Sequence, residues 1–284
     1  EYVHYAGYNG VMIGVLADGS TIYPSRLLEP TPRYDTGVFL PTGQDPVRKD
    51  VLELLFQLFD RERLQLIPLL QFGAPLPELE ALLRRGGPES DGLRWIGADG
   101  AAWTERYQPM RGLAPYYNLL HPRVQEAMLA VVREVVGRYG HHPSFGGLGI
   151  GLSAYGYAQL PGPAWGLDDA TISRFQQDAK VQVPGDGPGR FAQRAAFLLG
   201  EARRTWLLWR AEQLARFHRR IAAEVSAVRP EAPVYLAGAE SFAGDELQRE
   251  LQPSLALRTT LADVLLTVGI DGRHYRDQKG LILL

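Results

Sequence analysis

Five short apolar runs, separated by amphipathic stretches, constrain this sequence more than any other feature. They are Val11-Met12-Ile13-Gly14-Val15-Leu16, Leu64 to Leu70, Gly147-Leu148-Gly149-Ile150-Gly151-Leu152, Val234-Tyr235-Leu236-Ala237, and Leu281 to Leu284. Each is continuous rather than alternating, the pattern of a strand buried on both faces, and predicts a parallel sheet covered by helices. Between the runs the apolar positions recur at helical spacing. Val47, Val51, Leu54 and Leu58 predict one buried helix face, with Asp45 as N-cap and Pro46 at the first helical position. Pro122 opens a second helix whose stripe is Val124, Met128, Val131, Val135 and Tyr139, closed by Gly140. A third, long helix buries Leu207, Ala211, Leu214, Ile221, Val225 and Val228, with Pro230 just beyond. Strand and helix therefore alternate, the order that builds parallel sheets.

An open doubly wound sheet and a closed barrel both fit that order. A dinucleotide-binding sheet would carry Gly-x-Gly-x-x-Gly in the turn between a strand and its helix. Here Gly147, Gly149 and Gly151 lie inside an apolar run instead, where a strand passes closely packed neighbours, and this favours a (β/α)₈ TIM-type barrel. Residues 1–284 read as a single barrel domain with loop insertions near 86–118 and 153–168. Five runs against the eight strands of a closed barrel predict a barrel incomplete at both ends, a fragment of a longer chain. Glu1 inside a helical pattern and Leu284 on a strand agree with that expectation. The stretch 183–189, Val-Pro-Gly-Asp-Gly-Pro-Gly, reads as a flexible break between helices.

Composition narrows the chemistry. A net charge of −2, with Lys and Arg scattered among acidic neighbours, gives no basic patch for nucleic acid. No apolar stretch reaches the roughly 18 residues of a membrane-spanning helix. The absence of cysteine excludes disulfides, thiolate metal sites and thiol nucleophiles. The six histidines show no ligand spacing, so neither a metal nor another cofactor is expected. Ser153, in Gly151-Leu152-Ser153-Ala154-Tyr155, lacks the Gly-x-Ser-x-Gly elbow of serine hydrolases.

In a barrel the reactive groups stand at the C-terminal ends of strands. Reading across those ends gives Asp18, Gln71, Ser153 with Tyr155 and Tyr157, and Glu240. Glycosidic bond cleavage needs two carboxyl groups, which makes Glu240 and Asp18 the candidate catalytic pair. Each has a plainer reading: Glu240 as an N-terminal charge on a helix over Ser241 to Leu251, and Asp18-Gly19-Ser20 as an ordinary turn. Asp168 and Asp169 read as a helix N-cap and first-turn charge. Tyr155, Tyr157 and Trp165, with Gln159 on the same loop and Gln71 on the neighbouring strand, form a candidate sugar platform of flat faces and polar tips. Loop packing is the alternative for the aromatics.

The run Tyr116-Tyr117-Asn118-Leu119-Leu120-His121-Pro122-Arg123-Val124 resembles the Asn-x-x-His-Pro-x-Val block of the family-10-like glycosyl hydrolases. Asp168-Asp169-Ala170-Thr171, Trp206-Leu207-Leu208-Trp209-Arg210 and Gly7-Tyr8-Asn9-Gly10-Val11 are also similar to segments of that family, so the likeness runs from about residue 7 to 240. It implies a barrel acting on an oligo- or polysaccharide, in a family found in the cell envelope or outside the cell. It also marks a departure. Members of the family commonly carry an Asp-Asp-Tyr type cluster after the strand that follows the His-Pro helix, where this chain has Leu152-Ser153-Ala154-Tyr155-Gly156-Tyr157. Two readings follow: a glycosidase working through Glu240 and Asp18, or a non-catalytic carbohydrate-binding or scaffold domain on a degenerate barrel. Fold alone leaves other chemistries, such as an oxidoreductase or lyase, open.

Overall fold

The computed structural model of the chain describes residues 2–17, 19–30, 50–106, 117–242 and 259–284. After a one-turn helix α1 (Tyr2–Tyr5) come β1 (Gly10–Ala17), β2 (Ser20–Thr21) and β3 (Glu29–Pro30). Then follow α2 (Val51–Glu62), β4 (Gln65–Leu70), α3 (Pro77–Arg85), α4 (Trp103–Arg106), α5 (Pro122–Tyr139) and β5 (Leu148–Ser153). The C-terminal part holds α6 (Asp169–Ala179), α7 (Arg190–Leu199), α8 (Arg203–Val228), β6 (Val234–Glu240), α9 (Leu261–Thr267) and β7 (Leu281–Leu283).

The strands form one sheet in the order β3-β2-β1-β4-β5-β6-β7. The five apolar runs are β1, β4, β5, β6 and β7, and each pairs in parallel with the next. Among the described strands only β2 runs antiparallel to its neighbour β1. Strand order therefore follows chain order, as in a barrel wall, and the sheet does not close among the described residues.

Burial across this wall differs from the expectation of two covered faces. Leu66, Leu70, Leu148, Ile150, Leu152, Val234 and Leu236 are buried against the helices. The other face, carrying Ile67, Leu69, Gln71, Gly151, Tyr235 and Ala237, is only half-buried. It is the concave face that a closed barrel turns to its axis. Apolar side chains on both faces reflect a barrel interior, but the described residues cover only one.

The helices lie outside. α5 forms as expected, with His121 as N-cap, Pro122 at its start, and Val124, Met128, Val131, Val135 and Tyr139 all buried. α8 buries Leu207, Ala211, Leu214, Ile221 and Val225, whereas Val228 is exposed at its last turn. The reading of α2 is corrected. Its N-cap is Asp50, whose carboxylate accepts from Glu53 N, and its buried residues are Leu52 and Phe56. Val51, Leu54 and Leu58 face solvent, and Asp45, Pro46 and Val47 lie outside the described residues.

At the N-terminal end of the strands, His142 locks the α5–β5 turn to α2. Its Nδ1 lies 2.7 Å from Asp60 and its Nε2 3.1 Å from Glu53, with Phe56 stacked on the ring at 4.8 Å. Burial works against charging this imidazole, but the two carboxylates outweigh it and its pKa is raised. Those of Glu53 and Asp60 are lowered, because hydrogen bonds and the imidazole outweigh their own burial.

Candidate functional site at the strand C-termini

The opposite rim, where β1, β4, β5 and β6 end, collects the residues that the sequence singles out. Gln71 follows β4, and its backbone N–H donates to Leu16 O on β1 at 3.0 Å, fixing the rim between these strands. Its side chain lies on the concave face: a Cβ added to Gly14 would stand 3.5 Å from Gln71 Oε1, and one on Gly151 would stand 3.1 Å from Gln71 Cγ. Small residues on both neighbouring strands thus leave room for this amide.

Glu240 ends β6 and is exposed. Its orientation follows from pairing. Gly151 pairs with Ala237, but Ser153 pairs with Glu240, so β6 spends one more residue than β5 over the same span. Regular pairing would set Ala239 beside Ser153 and turn Glu240 towards the helices. Paired residues point to one face of a sheet and successive residues to opposite faces, so the bulge puts Glu240 on the face shared by Ser153, Gly151 and Gln71. Bulges at barrel rims commonly re-aim a side chain in this way. Ala154 N then donates to Glu240 O at 3.2 Å and locks the register. Asp18, the other expected acid, lies outside the described residues. Among the described residues within three positions of these strand ends, Glu240 is the only carboxylate.

The 153–168 loop is a packed shelf, which corrects much of the sugar platform. Of its aromatics only Tyr155 is exposed, at 42%. Tyr157 is buried, with its hydroxyl donating to Ala74 O at 2.8 Å and its ring against Phe72 and Tyr117. Trp165 is 2% exposed and packs on Gly97, where a Cβ would come within 2.9 Å of the indole. Gln159 is buried and donates to Ser241 O at 3.0 Å, tying the shelf to the end of β6. Helix α8 supplies the anchors. The buried Arg210 guanidinium donates to the carbonyls of Pro161, Gly162 and Thr267, and Trp206 Nε1 donates to Pro163 O at 2.9 Å. The faces of Tyr157 and Trp165 are therefore consumed by packing, and the chemistry-bearing rim reduces to Gln71, Ser153, Tyr155 and Glu240.

The Asn-x-x-His-Pro block has a structural role here. Asn118 is fully buried and its Nδ2 donates to Gly92 O at 2.9 Å, Thr171 Oγ1 at 2.9 Å and Asp168 Oδ2 at 3.3 Å, while its Oδ1 accepts from Leu120 N at 3.0 Å. Asp168 caps α6 through Thr171 N at 2.8 Å, and burial raises its pKa. His121 Nδ1 accepts from Arg123 N at 3.1 Å, with its pKa pushed down to about 4 by burial and by the Arg174 and Arg123 charges. A neutral imidazole is the form able to cap a helix this way. Among the described residues no three His, Asp or Glu side chains are grouped to hold a metal ion, and no helix is long and apolar enough to cross a membrane.

A wall of parallel strands in chain order with helices outside defines the class as an unclosed (β/α) barrel. The chain belongs to the glycosyl hydrolase-like 10 family, whose sequence profile matches residues 2–263. No curated protein matches the chain. Among solved structures, the glycoside hydrolase domain of PgaB (BpsB) from Bordetella bronchiseptica is similar over 97% of this chain and 64% of its own, with 14% identity and a TM-score of 0.56. The chain thus spans less than two thirds of that structure. A β-galactosidase from the psychrophilic Marinomonas ef1 aligns over 83% of this chain and 33% of its own, at 12% identity and a TM-score of 0.49.

Proposed function

We propose that this domain binds an oligo- or polysaccharide across the rim formed by Gln71, Ser153, Tyr155 and Glu240, and that Glu240 is the catalytic acid of a glycosidase. The observation that carries this reading is the register shift in β6. A side chain serving only as a helix-terminal charge has no need of a bulge that turns it to the concave face beside Ser153. A carboxyl group there faces a sugar held over the sheet and reaches a glycosidic oxygen as proton donor. Tyr155 is exposed on the adjacent strand end.

Hydrolysis requires a second carboxyl group, and Asp18, next after the last residue of β1, is the candidate. The second reading, a binding domain without turnover, draws on β5, whose end offers Ser153 and Tyr155 but no acid. Glu240→Gln separates the two. Loss of glycan turnover by at least about a hundredfold with affinity retained supports the enzyme. Unchanged turnover removes Glu240 from the chemistry, and binding without turnover in either form supports the binding domain.

A further inference from the structure

The concave face is layered along the strands, and its layers are filled unequally. One layer below the rim, Met12, Leu69 and Gly149 are in contact: a Cβ on Gly149 would lie 2.9 Å from Leu69 Cδ1 and 3.2 Å from Met12 Sδ. That layer is shut. The layer above it consists of Gly14, Gln71, Gly151 and Ala237, of which Gly14 is exposed and the others half-buried. Barrel interiors are ordinarily filled layer by layer with bulky branched side chains. Here the top layer contains nothing larger than Gln71, and the Gln71 amide makes no hydrogen bond to any described residue. The outcome is a recess one layer deep, with Met12 and Leu69 as floor, the amide as wall and Glu240 on its lip.

We infer that this recess is a sugar subsite, that Gly14 and Gly151 set its depth, and that it takes a sugar ring bearing no acidic substituent. The inference rests on the rim being the glycan site. Gln71 Nε2 and Oε1 supply a donor and an acceptor side by side, which matches a hydroxyl or amide substituent on the ring. Across the described strand residues of this face there is no Lys, Arg or His to pair with a sugar carboxylate. Gly14 is the sensitive position. Among the described residues a Cβ there meets Gln71 Oε1 alone, at 3.5 Å, an ordinary contact distance, so the backbone admits Ala and a longer side chain projects into the space reserved for the ring.

The test is calorimetric titration with cellohexaose, with the hexamer of N-acetylglucosamine and with hexagalacturonate, for wild type, Gly14→Ala, Gly14→Val and Gln71→Leu, alongside thermal melts. Wild type is expected to bind at least one of the two neutral hexamers and not hexagalacturonate. Gly14→Val should weaken that binding by about tenfold or more, the scale of a filled pocket position, with Gly14→Ala intermediate and neither melting below wild type. Gln71→Leu should weaken it several-fold, as the loss of neutral hydrogen bonds does. Equal affinity of wild type and Gly14→Val, tighter binding of hexagalacturonate, or no binding of either neutral hexamer overturns the inference. Its failure is distinguishable from failure of the catalytic reading. Loss of turnover in Glu240→Gln with Gly14→Val binding normally leaves Glu240 standing and removes the subsite, and the converse result does the reverse.

Discussion

Replacing Asn118 separates a structural clamp from a ligand-binding residue, because its partners are all within the protein. The side chain has two amide hydrogens and one carbonyl, and it serves Gly92 O and Thr171 Oγ1 at 2.9 Å each and Leu120 N at 3.0 Å, with Asp168 Oδ2 sharing a donor at 3.3 Å. Asn118→Ala removes three good hydrogen bonds worth about 1 kcal/mol each, or roughly 3 kcal/mol, before any cavity is counted. At about 2–4 °C per kcal/mol, the melting temperature should fall by about 6–12 °C. Asn118→Asp adds a pH signature. It sets a second carboxylate against Asp168, whose pKa burial already raises, so at least one of the pair has a folded pKa above its unfolded value. An acid with a raised folded pKa binds its proton more tightly in the fold, so the added penalty is full at neutral pH and relieved as pH falls through that pKa. Melts of both variants between about pH 5 and 7.5 check this. A loss below about 1 kcal/mol, or an Asn118→Asp penalty that grows on acidification, would refute the clamp.

Two further outcomes follow from the fold. His142 has a folded pKa above its unfolded value, so its contribution is complete below about pH 6.5 and is lost as pH rises through the folded pKa. The stability difference between wild type and His142→Gln, followed by denaturant melts, should therefore be larger at about pH 6 than at about pH 9, and a difference independent of pH would count against the ion cluster. On α2, Leu54→Gln should change stability by less than about 0.5 kcal/mol, while Phe56→Ala should cost about 3–5 kcal/mol. The reverse order would restore the face expected from the sequence.

The strands were legible because a barrel wall needs apolar residues on both faces, and a continuous run such as Gly147 to Leu152 has few other uses. α5 was legible for a related reason: Pro122 and Gly140 punctuate it and only one stripe is apolar. α2 was not, because it is apolar on two sides. Leu52 and Phe56 compete with Val51, Leu54 and Leu58, and only the sheet decides between them. The 153–168 loop misled for lack of a local signal. Whether Tyr157 and Trp165 face a ligand or the core is decided by Ala74, Gly97 and the α8 anchors, all distant in sequence. At the rim, the sequence placed Glu240 after a strand, but the face it takes depends on pairing with Ser153, which no pattern within β6 reveals.

A crystal structure of the protein with a bound oligosaccharide decides whether Glu240 works on a sugar held at the concave rim. A sugar ring is expected over Gly14 and Gly151, with the Glu240 carboxyl within about 2.6–3.2 Å of a glycosidic oxygen. An oligosaccharide seated elsewhere, with Glu240 turned to bulk solvent, would contradict it.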